Sequence, residues 1–172
     1  MTVDIRTATI YDLMVTVKER LNSKRDEINI LIKKYESNRR LNNIWIGDWK
    51  PTDGYPCITL EPITEEFGYM ASDYTIGKDF AITVNFYVKN PGTDVTIKYI
   101  AEIGEYIHNV LNEPKYTTWT VEKDFNGELI TIGRVWQSYA TTKVYSYLEE
   151  SIRKVAITYV MSYQKLKNAA YL

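Results

Sequence analysis

Between Asp79 and Lys89 the apolar side chains Phe80, Ile82, Val84, Phe86 and Val88 alternate with Ala81, Thr83, Asn85 and Tyr87. Period two sustained over that length belongs to an antiparallel strand with one face in a core. The strand is expected from about Tyr74 to Lys89, where Asn90-Pro91-Gly92 ends it. A chain whose strongest segment is of this kind has to build a sheet and cover one face of it.

The cover is legible as helices. Ile10, Leu13, Met14, Val17 and Leu21 fall on one helical face, and Ile28, Leu31, Ile32 and Tyr35 repeat the spacing. Thr9 and Asp12 have the spacing of a capping box, with Asp in place of Glu. The polar run Asn22 to Glu27 predicts a break near residues 22–24, with Ser23 capping the second segment. A further helix is expected from Asp94 to Leu111. Its face carries Ile97, Ile100, Ala101, Gly104, Ile107, His108 and Leu111, and Pro114 stops it. The small Ala101 and Gly104 predict a close approach to the sheet.

Shorter strands surround these elements. Ile44-Trp45-Ile46 and Pro56 to Glu61 flank a turn-rich stretch from Asp48 to Gly54, with Pro56 and Pro62 bracketing the second strand. Residues 117–136 read as a hairpin about Asn126-Gly127. A two-residue turn there would pair Phe125 with Glu128, Val121 with Ile132, and Trp119 with Arg134, a cation–π pair. A long closing strand, Ile152 to Tyr163, has Val155, Ile157, Tyr159, Met161 and Tyr163 on one face. Thr142 to Leu148 is its expected hairpin partner across Glu149-Glu150-Ser151, and Lys165 to Leu172 reads as an exposed tail. The expected fold is α+β: a mixed, mostly antiparallel sheet packed by an N-terminal helical segment and a central helix, with a β-hairpin extension. One domain over residues 1–172 is expected, its core about 8–164.

Composition excludes several functions. With 21 basic and 22 acidic residues the formal net charge is -1, without the basic excess of a phosphate-gripping protein. Lys33-Lys34 and Arg39-Arg40 read as the solvated end of a helix. A single cysteine, Cys57, allows no intrachain disulfide. Neither an apolar signal region nor a membrane span is legible, so a reducing aqueous compartment and no membrane partner are expected. The one histidine, His108, has no evident nucleophile or carboxylate partner and reads as a residue at the core edge. Glu65-Glu66 and Glu149-Glu150 read as loop solvation. Phosphate-binding loops and nucleophile elbows are missing from the sequence, so no catalytic residue, metal or cofactor is expected. A cofactor-free carboxylate enzyme is the competing class. The surplus is aromatic: 15 Tyr and 4 Trp, residue types favoured where subunits meet. Trp45, Trp49, Tyr55, Trp119, Arg134 and Trp136 are the interface candidates.

Certain phrases, in this order of elements, carry a resemblance. They are Tyr55-Pro56-Cys57-Ile58-Thr59-Leu60, the alternating strand Asp79 to Val88, the run Ile100 to Ile107 leading to Val110-Leu111, and the close Ile157-Thr158-Tyr159-Val160-Met161-Ser162-Tyr163. Across residues 8–164 the chain resembles the tail terminator (tail completion) proteins of tailed bacteriophages; the hairpin at 117–136 and the tail after 164 are longer than that family's minimal form. The resemblance implies a virion protein of the tail or neck, assembled in the host cytoplasm as a hexameric ring. Such a ring caps the tail tube protein, stops its polymerisation and presents a joining surface to the head-side connector or stopper. DNA would pass through the lumen without sequence-specific binding. Another neck, connector or baseplate subunit is the alternative within the particle, and a small enzyme or ligand-binding module the alternative outside it.

Overall fold

The computed structural model describes residues 8–47, 54–66, 69–72, 75–89, 93–112, 118–149 and 151–165. In chain order the elements are α1 (Ile10–Ser23), α2 (Arg25–Tyr35), β1 (Ile44–Ile46), β2 (Cys57–Glu65), β3 (Tyr69–Ser72), β4 (Thr75–Lys89), α3 (Thr93–Leu111), β5 (Trp119–Phe125), β6 (Glu128–Glu149) and β7 (Ile152–Lys165). The fold is α+β, as the alternation of helical and strand periods predicts.

Helix α1 starts at the expected capping box. Thr9 N donates to Asp12 Oδ2 at 2.8 Å, and Asp12 N donates to Thr9 Oγ1 at 3.4 Å. A third residue joins the cap: Ile10 N donates to Glu65 Oε2, 3.1 Å away on β2. Glu65 also meets Lys78 Nζ at 2.7 Å, so this glutamate ties a helix start to the sheet instead of solvating a loop. The helix breaks at Lys24 (φ -107°, ψ 15°). Ser23 does not cap the next helix, because it still belongs to the last turn of α1 and its Oγ donates to Arg20 O at 2.7 Å.

The sheet runs β1-β2-β4-β7-β6-β5, with β3 paired to the start of β4. Among the described residues only β1 and β2 are parallel, and every other pair is antiparallel. Strand β2 is longer than the sequence suggests. Pro62 lies within it, at a register shift between Pro62 and Thr64, one of the few sheet positions proline tolerates. Strand β3 pairs antiparallel with the start of β4, a hairpin for which the sequence pattern gives no signal.

Two corrections concern β6. The hairpin arm and the segment Thr142–Leu148 are one strand of 22 residues. Register shifts between Val135 and Gln137, Ala140 and Thr142, and Tyr147 and Glu149 explain why it read as two. Each extra residue flips the following side chains to the other face, so no period of two persists. Asn126-Gly127 does form the turn, Asn126 at φ 55° and Gly127 at φ 86°, and Phe125 faces Glu128. A bulge between Val121 and Glu122 then shifts the ladder by one, so Val121 faces Gly133, Trp119 faces Val135, and Arg134 faces Thr120. The cation over the Trp119 ring is Arg20 of α1, 5.9 Å from its centroid, and Arg134 instead donates to Gln164 Oε1 at 3.1 and 2.8 Å.

The core lies between the helices and one sheet face, where Phe80, Ile82, Val84, Phe86, Ile157, Tyr159 and Met161 are buried. Helix α1 touches β1 and β2 at one end of the sheet and β5 at the other, so the sheet curls about it. Gly104 gives α3 its close approach: a Cβ there would stand 3.2 Å from Val155 Cγ2. Tyr35 of α2 stacks on Tyr99 of α3, centroids 4.9 Å apart. The helix-free face is lined by small polar residues bonded to one another, with Asn85 Nδ2 donating to Thr59 Oγ1 (3.1 Å), Thr83 and Thr158 sharing a hydroxyl bond (3.0 Å), and Ser162 donating to Asp79 (2.7 Å).

Candidate assembly surface

Several titratable side chains are engaged in packing. His108 stacks on Tyr159 at 6.2 Å, with its Nδ1 3.5 Å from the Tyr159 hydroxyl, at the core edge as expected. Burial pushes the Tyr159 phenol up, and does the same to Tyr99 with help from the neighbouring Glu36 carboxylate. Tyr99 donates to Glu36 Oε2 at 3.0 Å. Burial, with Glu61 nearby, takes Tyr87 up to about 12. Phenols held protonated in this way serve as hydrogen-bond donors. Cys57 is wholly buried, in a small cluster with Tyr87 and Ile152. Among the described residues no group of three or more His, Cys, Asp or Glu could hold a metal ion. No described helix is long and apolar enough to cross a membrane. A groove of about 640 Å³ between α1 and β5 is lined in part by Val15, Arg20, Trp119, Glu122 and Leu129.

The structure scatters the six aromatic and arginine candidates. Trp45 on β1 is 37% exposed, on the helix-free face. Trp136 is 43% exposed, at the first β6 register shift. Arg134 is exposed. Tyr55 is half-buried against the Cys57 cluster. Trp119 is only 6% exposed and belongs to the core, because it stands two residues from the buried Val121 on β5 and shares its face, under Arg20. Trp49 and the tail after Lys165 lie outside the described residues, as does Glu150.

The structure shows a surface that those choices touch only at Trp136. Strand β5 pairs with β6 as far as Val135 and no further. From Trp136 to Glu149, β6 is bonded on one side alone, to β7, and no other backbone hydrogen bond reaches it among the described residues. Of the twelve large hydrophobic side chains exposed among the described residues, five lie on this stretch: Trp136, Tyr139, Val144, Tyr145 and Leu148. Tyr139 and Val144 pair with Val160 and Ala156 and so share the helix-free face, whereas Tyr145 pairs with Val155 on the helix face. Apolar groups therefore flank the open edge on both sides. The one charged residue from Trp136 to Leu148 is Lys143, held by Glu105 of α3 at 2.8 Å. A monomer blunts an open edge with charge or a short strand; this one is long and mostly apolar, with Lys143, Glu149 and its bulges as protection among the described residues.

No protein-family model matches the sequence, and no curated protein does. The fold is similar to that of a solved chain from the virion of a native gene transfer agent particle. The similarity has a TM-score of 0.51 at 10% sequence identity and covers 88% of this chain and 94% of that one. At that identity the likeness is one of fold.

Proposed function

We propose that this chain is a structural subunit of a virion that works by self-assembly, and that its place is the tail terminator: a hexameric ring seated on the end of the tail tube and offering its far side to the head connector. The observation that carries the proposal is the open apolar edge of β6, which a partner has to cover. The virion chain of similar fold supports the wider part of the reading, and the family phrases in the sequence support the narrower part. A sheet whose buried phenols are held protonated in packing, beside an exposed apolar edge, suits interface work better than turnover.

The test is incubation with purified tail tubes, followed by negative-stain microscopy of tube ends. Six-fold caps on the ends, and tubes that no longer elongate, are expected. Twelve-fold rings that ignore tubes would move the protein to the connector. Bare tube ends with a monomeric protein would refute assembly and turn attention to the α1–β5 groove, where the buried Trp119 Nε1 lacks an acceptor among the described residues, as a ligand site.

A further inference from the structure

We infer that the open edge of β6 is one half of the seam between copies, and that its other half is the β1–β2 end of the next copy's sheet. The seam presupposes the self-assembly proposed above and adds which surfaces meet.

The pairing registers define rows of residues across the sheet. One row runs Trp45, Thr59, Asn85, Ala156, Val144. A second runs Glu61, Thr83, Thr158, Thr142, and a third Glu65, Phe80, Met161, Ser138. At every level from Ser138 to Tyr145 the sheet is therefore bounded by the open β6 at one end. At the other end stands β1, or the stretch Glu61–Glu65 of β2, which β1 leaves uncovered among the described residues. The two ends stand at the same height. A copy generated by rotation about an axis along the strands, with no axial step, meets its neighbour edge to edge. Such a contact is heterologous and, without a step, closes into a ring instead of climbing as a filament. Three antiparallel pairings separate β2 from β6, so they run in opposite directions and the new contact has antiparallel sense.

The side chains agree with this occupant. Trp45 and Val144, both exposed, end the same row on the helix-free face. Ile63, 53% exposed, lies at the level of Tyr139 and Ala140. The β2 edge carries Glu61 and Glu65, the latter held by Lys78, and the open β6 edge carries Lys143, held by Glu105, and Glu149 at its end, so the apolar row ends carry the match. Lys143 of one copy stands at the level of Ile46 and Leu60 of the next, on the helix face, whereas Glu61 lies on the helix-free face in the Thr142 row. Pairing β6 with a second β6 in the register centred on Lys143 would instead bring the two Lys143 side chains together, which like charge opposes.

Cysteines placed at the two row ends test the seam. Under mild oxidation Trp45→Cys/Val144→Cys should give a covalent ladder ending at the ring, and each single variant should remain a monomer on a denaturing gel. Both positions are solvent-exposed, so the fold tolerates the changes. As a second measurement, Val144→Asp, at the row end that meets Trp45 of the next copy, should raise the concentration needed for assembly by roughly tenfold. A dimer band from Val144→Cys alone would overturn the seam in favour of β6 against β6. An oligomer by light scattering with no ladder from the double variant would overturn the seam and leave self-assembly standing. A protein that stays monomeric, with and without tail tubes, would overturn both.

Discussion

Replacing Gly133 with alanine tests whether the hairpin register, and with it the point where β6 leaves β5, is fixed as described. Gly133 faces Val121 on one side and Lys165 on the other. A Cβ added there would land on the Tyr163 ring, against its Cε2, Cζ and hydroxyl. That ring is buried, and its hydroxyl donates to Ile132 O at 2.9 Å. Moving it aside carries an overpacking cost of about 1–3 kcal/mol and leaves a buried carbonyl without its donor, about 1–3 kcal/mol more. The expected loss is roughly 2–6 kcal/mol, a fall in melting temperature of roughly 5–20 °C for a chain of this length. Urea unfolding followed by tryptophan fluorescence measures it. Because the hydroxyl is among the atoms that clash, Tyr163→Phe should cost less in the Gly133→Ala background than in the parent. Stability within about 0.5 kcal/mol of the parent, or strictly additive changes, would refute the packing described around Gly133.

Three further outcomes follow from the same contacts. Gly104→Ala should be nearly neutral, since Val155 need give only a few tenths of an ångström, whereas Gly104→Leu should cost about 1–3 kcal/mol by prising α3 from β7; thermal melts separate the two. Tyr87 holds its proton up to about 12, against 10.0 for an ordinary phenol, so the folded state binds the proton more tightly. Its contribution is complete below pH 10 and is lost as pH rises from 10 towards 12; unfolding midpoints between pH 9 and 12 should fall more gently in Tyr87→Phe. Trp136→Ser/Tyr139→Ser should leave the monomer's melting temperature nearly unchanged and abolish assembly, as read by sedimentation velocity.

The sequence is legible where one physical signal runs uninterrupted. Thr9 with Asp12, the Ile10–Leu21 face, the Phe80–Val88 alternation and the Asn126-Gly127 turn each depend on neighbours along the chain, and each appears in place. Gly104 announced its close packing because a missing side chain at a helix face needs a reason. The failures fall at bulges. Ile132, Trp136 and Ile63 stand where register shifts occur, and one inserted residue changes which face every later side chain occupies. Hence Pro62 lies within β2 where the sequence pattern ends the strand, and β6 is one strand where the pattern shows two; Trp119 is inside because it shares the face of Val121. The candidate surface was missed for the same reason: Tyr139, Val144 and Tyr145 become a patch only once a single strand outruns β5. Trp136 was found because an exposed indole is conspicuous whatever its register.

Self-assembly is the central claim, and the mass of the protein in solution tests it most directly, by multi-angle light scattering over a range of concentrations with and without tail tubes. The account predicts six copies, either free or formed on tube ends, and a return to the monomer when Trp136 and Tyr139 are replaced by serine. A mass of one copy at every concentration, unchanged by tubes, would contradict it.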